Sequence, residues 1–371
     1  MPAGPIRFGV SAPLSGATAS FGLATKAAFA VTATFFNQLH PGGIDGHPIQ
    51  IDVLDDGSDV TKAVSVANQM VANKEAAVVT VTYNPLGAPQ QDAIYNKAKI
   101  PVFSGQADNQ YTDTTKWPYM FNISATSLQE GQKAAEWISK HAEFKKIGVL
   151  SDGTATDEEV VSDILNPLKT AAPSAQVVKT VSIPPGAVDV STALAQLKAA
   201  SPDLLIVAVG FGFGPIWQGM QAASWSPAIL TSPGAFYDGF NSMGALATKG
   251  VVPYVDCVAP GHAPFQKTLT DLMDAYMSVP GTSTINLLAQ PSYDSAPLEL
   301  LKYAIEKNHS VDPDAIKQAI EGMGTQTYFG AFTFNFSPTN HGGMTGDFGA
   351  NICSMMTPFS DGKYQIPFIA T

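Results

Sequence analysis

Apolar and polar positions alternate strictly in Ile49-Gln50-Ile51-Asp52-Val53, the period-two pattern of a half-buried strand. Asp55-Asp56-Gly57 breaks it. Ser58 or Asp59 is then placed to cap a helix, whose apolar residues Ala63, Val64, Ala67, Met70 and Val71 recur at helical spacing. The same strand-then-helix order repeats along the chain. Ile6 to Ala12 reads as a strand, and the helix after it carries Ala28, Val31, Phe35 and Leu39 on one stripe. Ala77 to Val81 and Ile100 to Ser104 are strands flanking a helix from Ala88 to Lys97.

Lys146 to Leu150 restarts the pattern, followed by a strand at Val177 to Val181 and a helix near Val190 to Ala199. Leu204 to Val209 is a continuous apolar run, the mark of a parallel strand buried on both faces. A helix through Trp217 and Met220 and a strand at Ala228 to Thr231 complete the second array. Further helices are predicted near Pro264 to Tyr276, Asn286 to Glu306 and Asp312 to Gly322. Tyr328 to Phe334 alternates as a strand should, and Asn340-His341-Gly342-Gly343 reads as a hairpin turn. Two β-α arrays in tandem predict two α/β lobes of similar build.

Composition narrows the function classes. At 371 residues the chain fits two domains, and 45% hydrophobic content with 14% charge describes a packed protein. The longest apolar run is too short to cross a membrane. A net charge of −11 argues against nucleic acid or anionic lipid as a partner. Arg7 is the single arginine, so a carboxylate-bearing ligand must rely on amides, hydroxyls and helix N-termini unless Arg7 reaches it. Met1-Pro2-Ala3-Gly4 carries neither a basic nor an apolar leader segment, and we expect a mature form whose signal peptide is absent.

Cys257 and Cys353 lack nearby histidines, so zinc is not expected, while a disulfide between them stays open. The six histidines are scattered, and no G-x-S-x-G elbow, P-loop, H-E-x-x-H or C-x-x-C occurs. Gly210-Phe211-Gly212-Phe213-Gly214-Pro215 has the outline of a dinucleotide fingerprint, but Pro215 replaces its final glycine and no acid ends the next strand. No enzyme activity, metal or cofactor is therefore expected.

The run from Gly42 to Val71, GGIDGHPIQIDVLDDGSDVTKAVSVANQMV, resembles the signature segment of type I periplasmic solute-binding proteins of ABC importers. The branched-chain amino-acid (Leu/Ile/Val) branch is the nearest. Pro13-Leu14-Ser15-Gly16 with Phe21-Gly22, Trp117 to Asn122, and Tyr328 to Phe334 extend the resemblance over nearly the whole chain. It implies two Rossmann-like lobes joined by a three-strand hinge. Lobe 1 would comprise 1–122 and 254–332, and lobe 2 would comprise 123–253 and 333–371. Crossovers would lie near 121–124, 252–255 and 330–334. It also implies a periplasmic or lipid-anchored monomer that closes on a small solute in the interlobe cleft and delivers it to a permease with its ATPase.

The family's ligand loops fall on Phe21, on Tyr83, Asn84, Pro85 and Leu86, on Gln106, Ala107 and Asp108, and on Thr154 and Thr156. In the second lobe they fall on Phe211 and Phe213, on Gly234, Ala235 and Phe236, and on Tyr293 near the hinge. Thr156 stands where relatives place a stacking tyrosine, and Gly234 where amino-acid binders carry the acid that pairs with the ligand's ammonium group. These departures point to a solute with an apolar or aromatic body, with or without a carboxylate. A branched-chain or other amino acid bound through a displaced acid, Asp108 or Asp238, is the alternative, and a ligand-sensing receptor module is another.

Overall fold

The computed structural model describes residues 1–16, 18–80, 84, 86–106, 108–231, 251–258, 295–328, 332–342, 344–345 and 348–352. The chain divides into two compact units, Met1–Ser124 with Ala263–Phe348, and Ala125–His262 with Gly349–Thr371.

In the first unit, β1 (Ile6–Ala12), β2 (Ile49–Asp55), β3 (Ala77–Thr80), β4 (Val102–Ser104) and β5 (Met120–Asn122) form one sheet in the order β2-β1-β3-β4-β5. Every neighbouring pair is parallel, with Ile6 opposite Ile49 and Phe8 opposite Ala77. All the strands therefore end on the same side, where α1 (Ala19–Leu39), α2 (Val60–Asn73) and α3 (Ala88–Lys97) begin. Asp59 caps α2 by accepting from the Lys62 amide at 2.8 Å, and the face formed by Ala63, Val66, Ala67 and Met70 is buried.

The buried face of α1 differs from the predicted stripe. Thr25, Ala28, Phe29, Thr32 and Phe36 face inward, whereas Val31 and Phe35 are half-buried and Leu39 is exposed. The helix is apolar nearly all round, so packing rather than periodicity sets its rotation. The Phe29 ring meets Phe8 of β1 at a centroid distance of 6.1 Å, and Phe8 lies against Phe103 of β4.

Later in the chain, α8 (Ala296–Asn308) and α9 (Pro313–Glu321) pack on each other, and Asp312 caps α9. Tyr328 to Phe334 does not form the single strand predicted for it. β11 (Gln326–Tyr328) and β12 (Phe332–Phe334) pair antiparallel with Tyr328 opposite Phe332, and β12 pairs on with β13 (Met344–Thr345). The alternating pattern was genuine, but the chain reverses within it. Phe334, Phe336 and Phe121 make a buried aromatic chain beside His341.

The second unit repeats the parallel scheme from β6 to β10. β6 (Lys146–Ser151), β7 (Gln176–Ser182), β8 (Leu204–Ala208), β9 (Ala228–Thr231), β10 (Val251–Val258) and β14 (Phe348–Ile352) are ordered β14-β10-β9-β8-β6-β7. α4 (Ser127–Ser139), with a capping box between Thr126 and Gln129, packs along α5 (Ala155–Ala171). Ile147, Val149, Leu204, Ile206 and Ala208 bury one sheet face under these two helices. Leu150, Leu205 and Val207 bury the other under α6 (Ser191–Ala200) and α7 (Phe213–Ala222). That two-sided burial explains why Leu204 to Val209 is apolar without alternation.

Gly22 lets α1 start directly over the loop after β1: a Cβ there would lie 2.1 Å from the Pro13 carbonyl oxygen. Gly22→Ala should therefore destabilise the first unit by about 3 kcal/mol, the upper range for overpacking against an unyielding neighbour. Urea unfolding followed by circular dichroism checks this. An unchanged midpoint would show that the loop moves freely.

Candidate functional site

In open parallel sheets ligands bind beyond the carboxyl ends of the strands, where helix N-termini also point. In the first unit these ends are tied together by buried polar side chains. Asp56, immediately after β2, accepts from the Ser11 hydroxyl of β1 at 3.0 Å, from the Asn84 amide at 3.0 Å and from the Ser58 backbone N–H at 3.1 Å. Burial pushes its pKa up, while the Ser58, Ser11 and Asn84 hydrogen bonds pull it back down.

Asp55 next to it faces the surface. The Ser15 hydroxyl donates to it at 2.7 Å, and Lys62 pairs with it at 2.5 Å. What burial it has raises its pKa, but bonds from Lys62, Ser15 and the Gly57 N–H outweigh that and hold it at about 2. Ser58 in turn bonds Thr18. The loops after β1 and β2 thus act as one piece. Gly16 lies at φ +87° with its side facing the Gly57 carbonyl, a place no Cβ fits.

The expected ligand residues separate in this geometry. Asn84 is buried and its side chain is committed, donating to Asp56 and accepting from the Gly87 N–H at 3.0 Å as α3 begins. Leu86, by contrast, is 69% exposed at the same strand-end loop. Gln106 is buried, its side-chain amide donating to Asp92 at 2.7 Å, so it shapes the loop from beneath instead of offering free donors. Asp108 follows at the start of a 3-10 turn over Asn109–Thr112 and is 9% exposed.

Phe21 was expected to face the ligand; it is buried in the first turn of α1, where the helix packs close over the loop. Tyr83, Pro85 and Ala107 lie outside the described residues.

In the second unit Thr154 caps α5, accepting from the Asp157 N–H and donating to its carboxylate at 2.8 Å, and Thr156 sits in that helix's first turn, half-buried. Asp152, buried, receives the Gly210 N–H at 3.3 Å and the Thr154 N–H at 3.0 Å, which joins the loops after β6 and β8. Phe211 is half-buried with its ring against Gly186 in the loop after β7. Phe213 corrects the expectation placed on it. It is fully buried in the core and stacks on Trp217 at 5.5 Å, because α7 starts at Phe213 and turns it toward the sheet. Gly234, Ala235, Phe236, Asp238 and Tyr293 lie outside the described residues, as does Cys353.

Arg7 does not reach these loops. It sits near the amino end of β1, paired with Asp52 at 2.5 Å and with buried Glu75 at 3.5 Å. Burial, then the charge and hydrogen bond of Asp52, push Glu75 up to about 7, against the pull of Arg7 and Asn73.

Sequence reading also missed the acid partners of three histidines, of which His309 meets Asp45 at 3.1 Å. His341 is fully buried against Glu321 at 3.0 Å, and burial lowers its pKa despite that acid. His40 pairs with Glu299 at 2.7 Å. Glu321 is 20 residues from His341, and the other pairs are 259 and 264 apart, so no local spacing announced them. Among the described residues no group of three or more His, Cys, Asp and Glu side chains is arranged to hold a metal, and no helix is long and apolar enough to cross a membrane.

A family model described as periplasmic binding protein matches residues 5–349. The chain belongs to that family. Its members bind small-molecule solutes outside the cytoplasm and work with a membrane permease. A Leu/Ile/Val-binding protein homologue of Brucella melitensis is 23% identical over 347 residues, which are 89% of this chain and 87% of that protein.

Among solved structures, the branched-chain amino acid transporter substrate-binding protein LivJ of Streptococcus pneumoniae, in complex with isoleucine, is similar with a TM-score of 0.74 at 19% identity and 99% coverage of both chains. A solute-binding protein of an ABC transporter from R. palustris, in complex with benzoate, has a TM-score of 0.77 at 17% identity, covering 98% of this chain and 95% of that one. Identities this low carry the fold and leave the solute open.

Two predictions follow from these placements. Glu75 carries a proton in the folded state above the pH at which it would lose one unfolded, so its contribution favours folding at low pH and is lost as pH rises from about 4 toward 7. The melting temperature of Glu75→Gln relative to the parent should then improve between about pH 4 and about pH 8; a constant difference would mean the acid is ionised throughout. Phe213→Ala should cost about 3–5 kcal/mol of stability as a core truncation, seen as a lower unfolding midpoint. Weakened solute affinity at full stability would instead return Phe213 to the binding surface.

Proposed function

We propose that this chain is the extracytoplasmic solute-binding component of an ABC importer, taking a small organic molecule with an apolar body. It binds and releases that solute as a monomer, without chemical change, and hands it to the permease and its ATPase. Its lobes close by hinge motion about the crossovers near 121–124, 252–255 and 330–334.

The observation that carries the solute class is where exposed apolar side chains sit. Among the nine exposed large hydrophobic residues described, Leu23, Val60 and Leu86 in the first unit, and Leu128 and Val188 in the second, lie on strand-end loops or helix beginnings at the carboxyl side of their sheets. Met1, Leu39, Val177 and Val178 lie toward the strands' amino ends. Leu86 and Val188, at 69% and 89% exposure, are the most exposed large hydrophobic residues described. Apolar groups left in water at the ligand-binding side of a sheet favour an apolar ligand. With Arg7 held at the opposite end by Asp52 and Glu75, a carboxylate on that ligand would be met by backbone amides and hydroxyls.

The names of the relatives favour a second reading, a branched-chain amino acid. That ligand needs a carboxylate to face its ammonium group, since an unpaired buried charge is costly. Asp108 is the described acid best placed by its loop to serve.

A thermal-shift panel of leucine, isoleucine, valine and benzoate separates the readings, because a solute that binds only the folded state raises the melting temperature. A response to benzoate alone supports the apolar-acid reading, and a response to the amino acids alone supports the second. Leu86→Ser should weaken binding of the responding compound about tenfold, the loss of one apolar anchor, with the melting temperature of the free protein unchanged. Equal affinity would remove Leu86 from the binding surface.

A further inference from the structure

α3 places two consecutive buried polar side chains, Gln91 and Asp92, beneath the strand-end loops. Gln91 donates to the Ser11 hydroxyl at 2.6 Å and to the Ala63 carbonyl at 3.1 Å, gripping β1 and α2. Asp92 is completely buried, and the Gln106 side-chain amide donates to it at 2.7 Å. The hydroxyls of Thr80, at the end of β3, and of Tyr111, in the 3-10 turn, also face this carboxyl without reaching full hydrogen-bond geometry.

Gln106 is held on its other sides as well. Its N–H donates to the Ser104 hydroxyl at 3.1 Å, and its carbonyl accepts from Asn122 at 2.9 Å. Main chain and side chain are thereby fixed together, and the anchor of the side chain is Asp92.

We propose that Asp92 is the positioning residue of the ligand loop at Gly105 and Gln106, holding it through the Gln106 side chain and coupling it to the end of β3 and the 109–112 turn. The proposal rests on the reading that this loop contacts the solute. A fully buried carboxyl with one well-formed donor is not a packing solution that an apolar side chain could not better. Its use is to hold a loop that would otherwise have several conformations.

The groups facing Asp92 also make the loop sensitive to pH. Tyr95 lies on α3 itself, Tyr111 and Asp108 lie on the segment above, and Asp56 lies beyond Tyr95. Burial, with a further push from the Asp108 charge, raises Asp92 to about 7 against the pull of Thr80, Tyr111 and Gln106. Below that value the acid is neutral beneath Asp108; above it two carboxylates oppose each other under the loop. The folded state is the one that holds the proton, so this contribution is full below the ordinary aspartate range and is lost as pH rises to about 7.

The test reads the loop directly and needs no solute. In the isotope-labelled full-length protein, the side-chain amide signals of Gln106 should titrate with a midpoint near the value given above. They should stop titrating in Asp92→Asn, which keeps an acceptor for the amide, and collapse toward solvent-exposed shifts in Asp92→Ala. Gln106 signals that neither titrate nor move in a folded variant overturn the proposal.

Benzoate and leucine are then titrated by calorimetry. Asp92→Ala should weaken the compound that binds the parent protein about tenfold, the loss expected for one buried hydrogen bond. Asp92→Asn should restore the affinity at low pH and abolish its pH dependence. If Asp92→Ala does not fold, Gln106→Ala removes the same contact, and its affinity should fall equally. Failure of both compounds to bind the parent protein, with Gln106 still titrating, would count against the solute reading and leave the positioning role standing.

Discussion

The buried carboxylates at the strand ends constrain everything above them. Parallel strands deliver their loops to one edge, and nothing in the ladder hydrogen bonds fixes how those loops are arranged with respect to one another. Asp56 supplies that order for the loops after β1, β2 and β3, and Asp92 does so for the ends of β3 and β4. Their described partners are hydroxyls, amides and backbone N–H groups, not cations. Each acid keeps its donors only while several loops hold their places, so its burial ties those loops to one another. The one guanidinium of the chain is at the far end of β1, against Asp52 and Glu75.

The second unit reaches a similar end with a different residue. Asp152 stands directly after β6 and bridges the Thr154 and Gly210 N–H groups, joining the beginning of α5 to the loop before α7. An aspartate just past a strand accepts backbone donors that the turn leaves without partners, and no cation takes part. In both units, then, rigidity beneath the loops is polar, while Leu86 and Val188 expose apolar surface on the loops themselves. That division suits a binding surface: the frame is fixed by directional bonds, and contact with a solute is left to groups that gain by leaving water.

The frame was legible because its causes are local. Ile6 to Ala12, Ala88 to Lys97 and Ala228 to Thr231 were delimited correctly by periodicity and turn residues alone. Asp59 was one of two caps offered by sequence, and it is the one whose side chain accepts from Lys62. The rotation of α1 was not legible, since a helix apolar on several faces carries no strong stripe and the Phe8–Phe29 contact decides. The reversal within 326–334 escaped for a related reason: two short strands facing each other keep the alternation of one long strand.

The site was legible only as loops. Position after a strand indicated where ligand residues belong, but not which way each side chain turns. Gln106 and Phe213 had the same standing in the sequence, a chemically capable residue on a strand-end loop. One turns inward to an acid contributed by α3, fourteen residues earlier, and the other becomes the first residue of a helix whose inward face it completes.

What distinguishes such residues is a partner remote in sequence. Asp92 has no motif around it and lies mid-helix between Gln91 and Ala93. It is nonetheless among the most buried acids described, because the inward face of α3 carries Gln91 and Asp92 beside the apolar Ala88 and Tyr95. The hydrogen bonds of Gln91 and Asp92 add direction to that packing, since a directional bond fixes distance and angle. If these loops hold the solute, as proposed, ligand choice rests on the residues beneath them as well as on those they display.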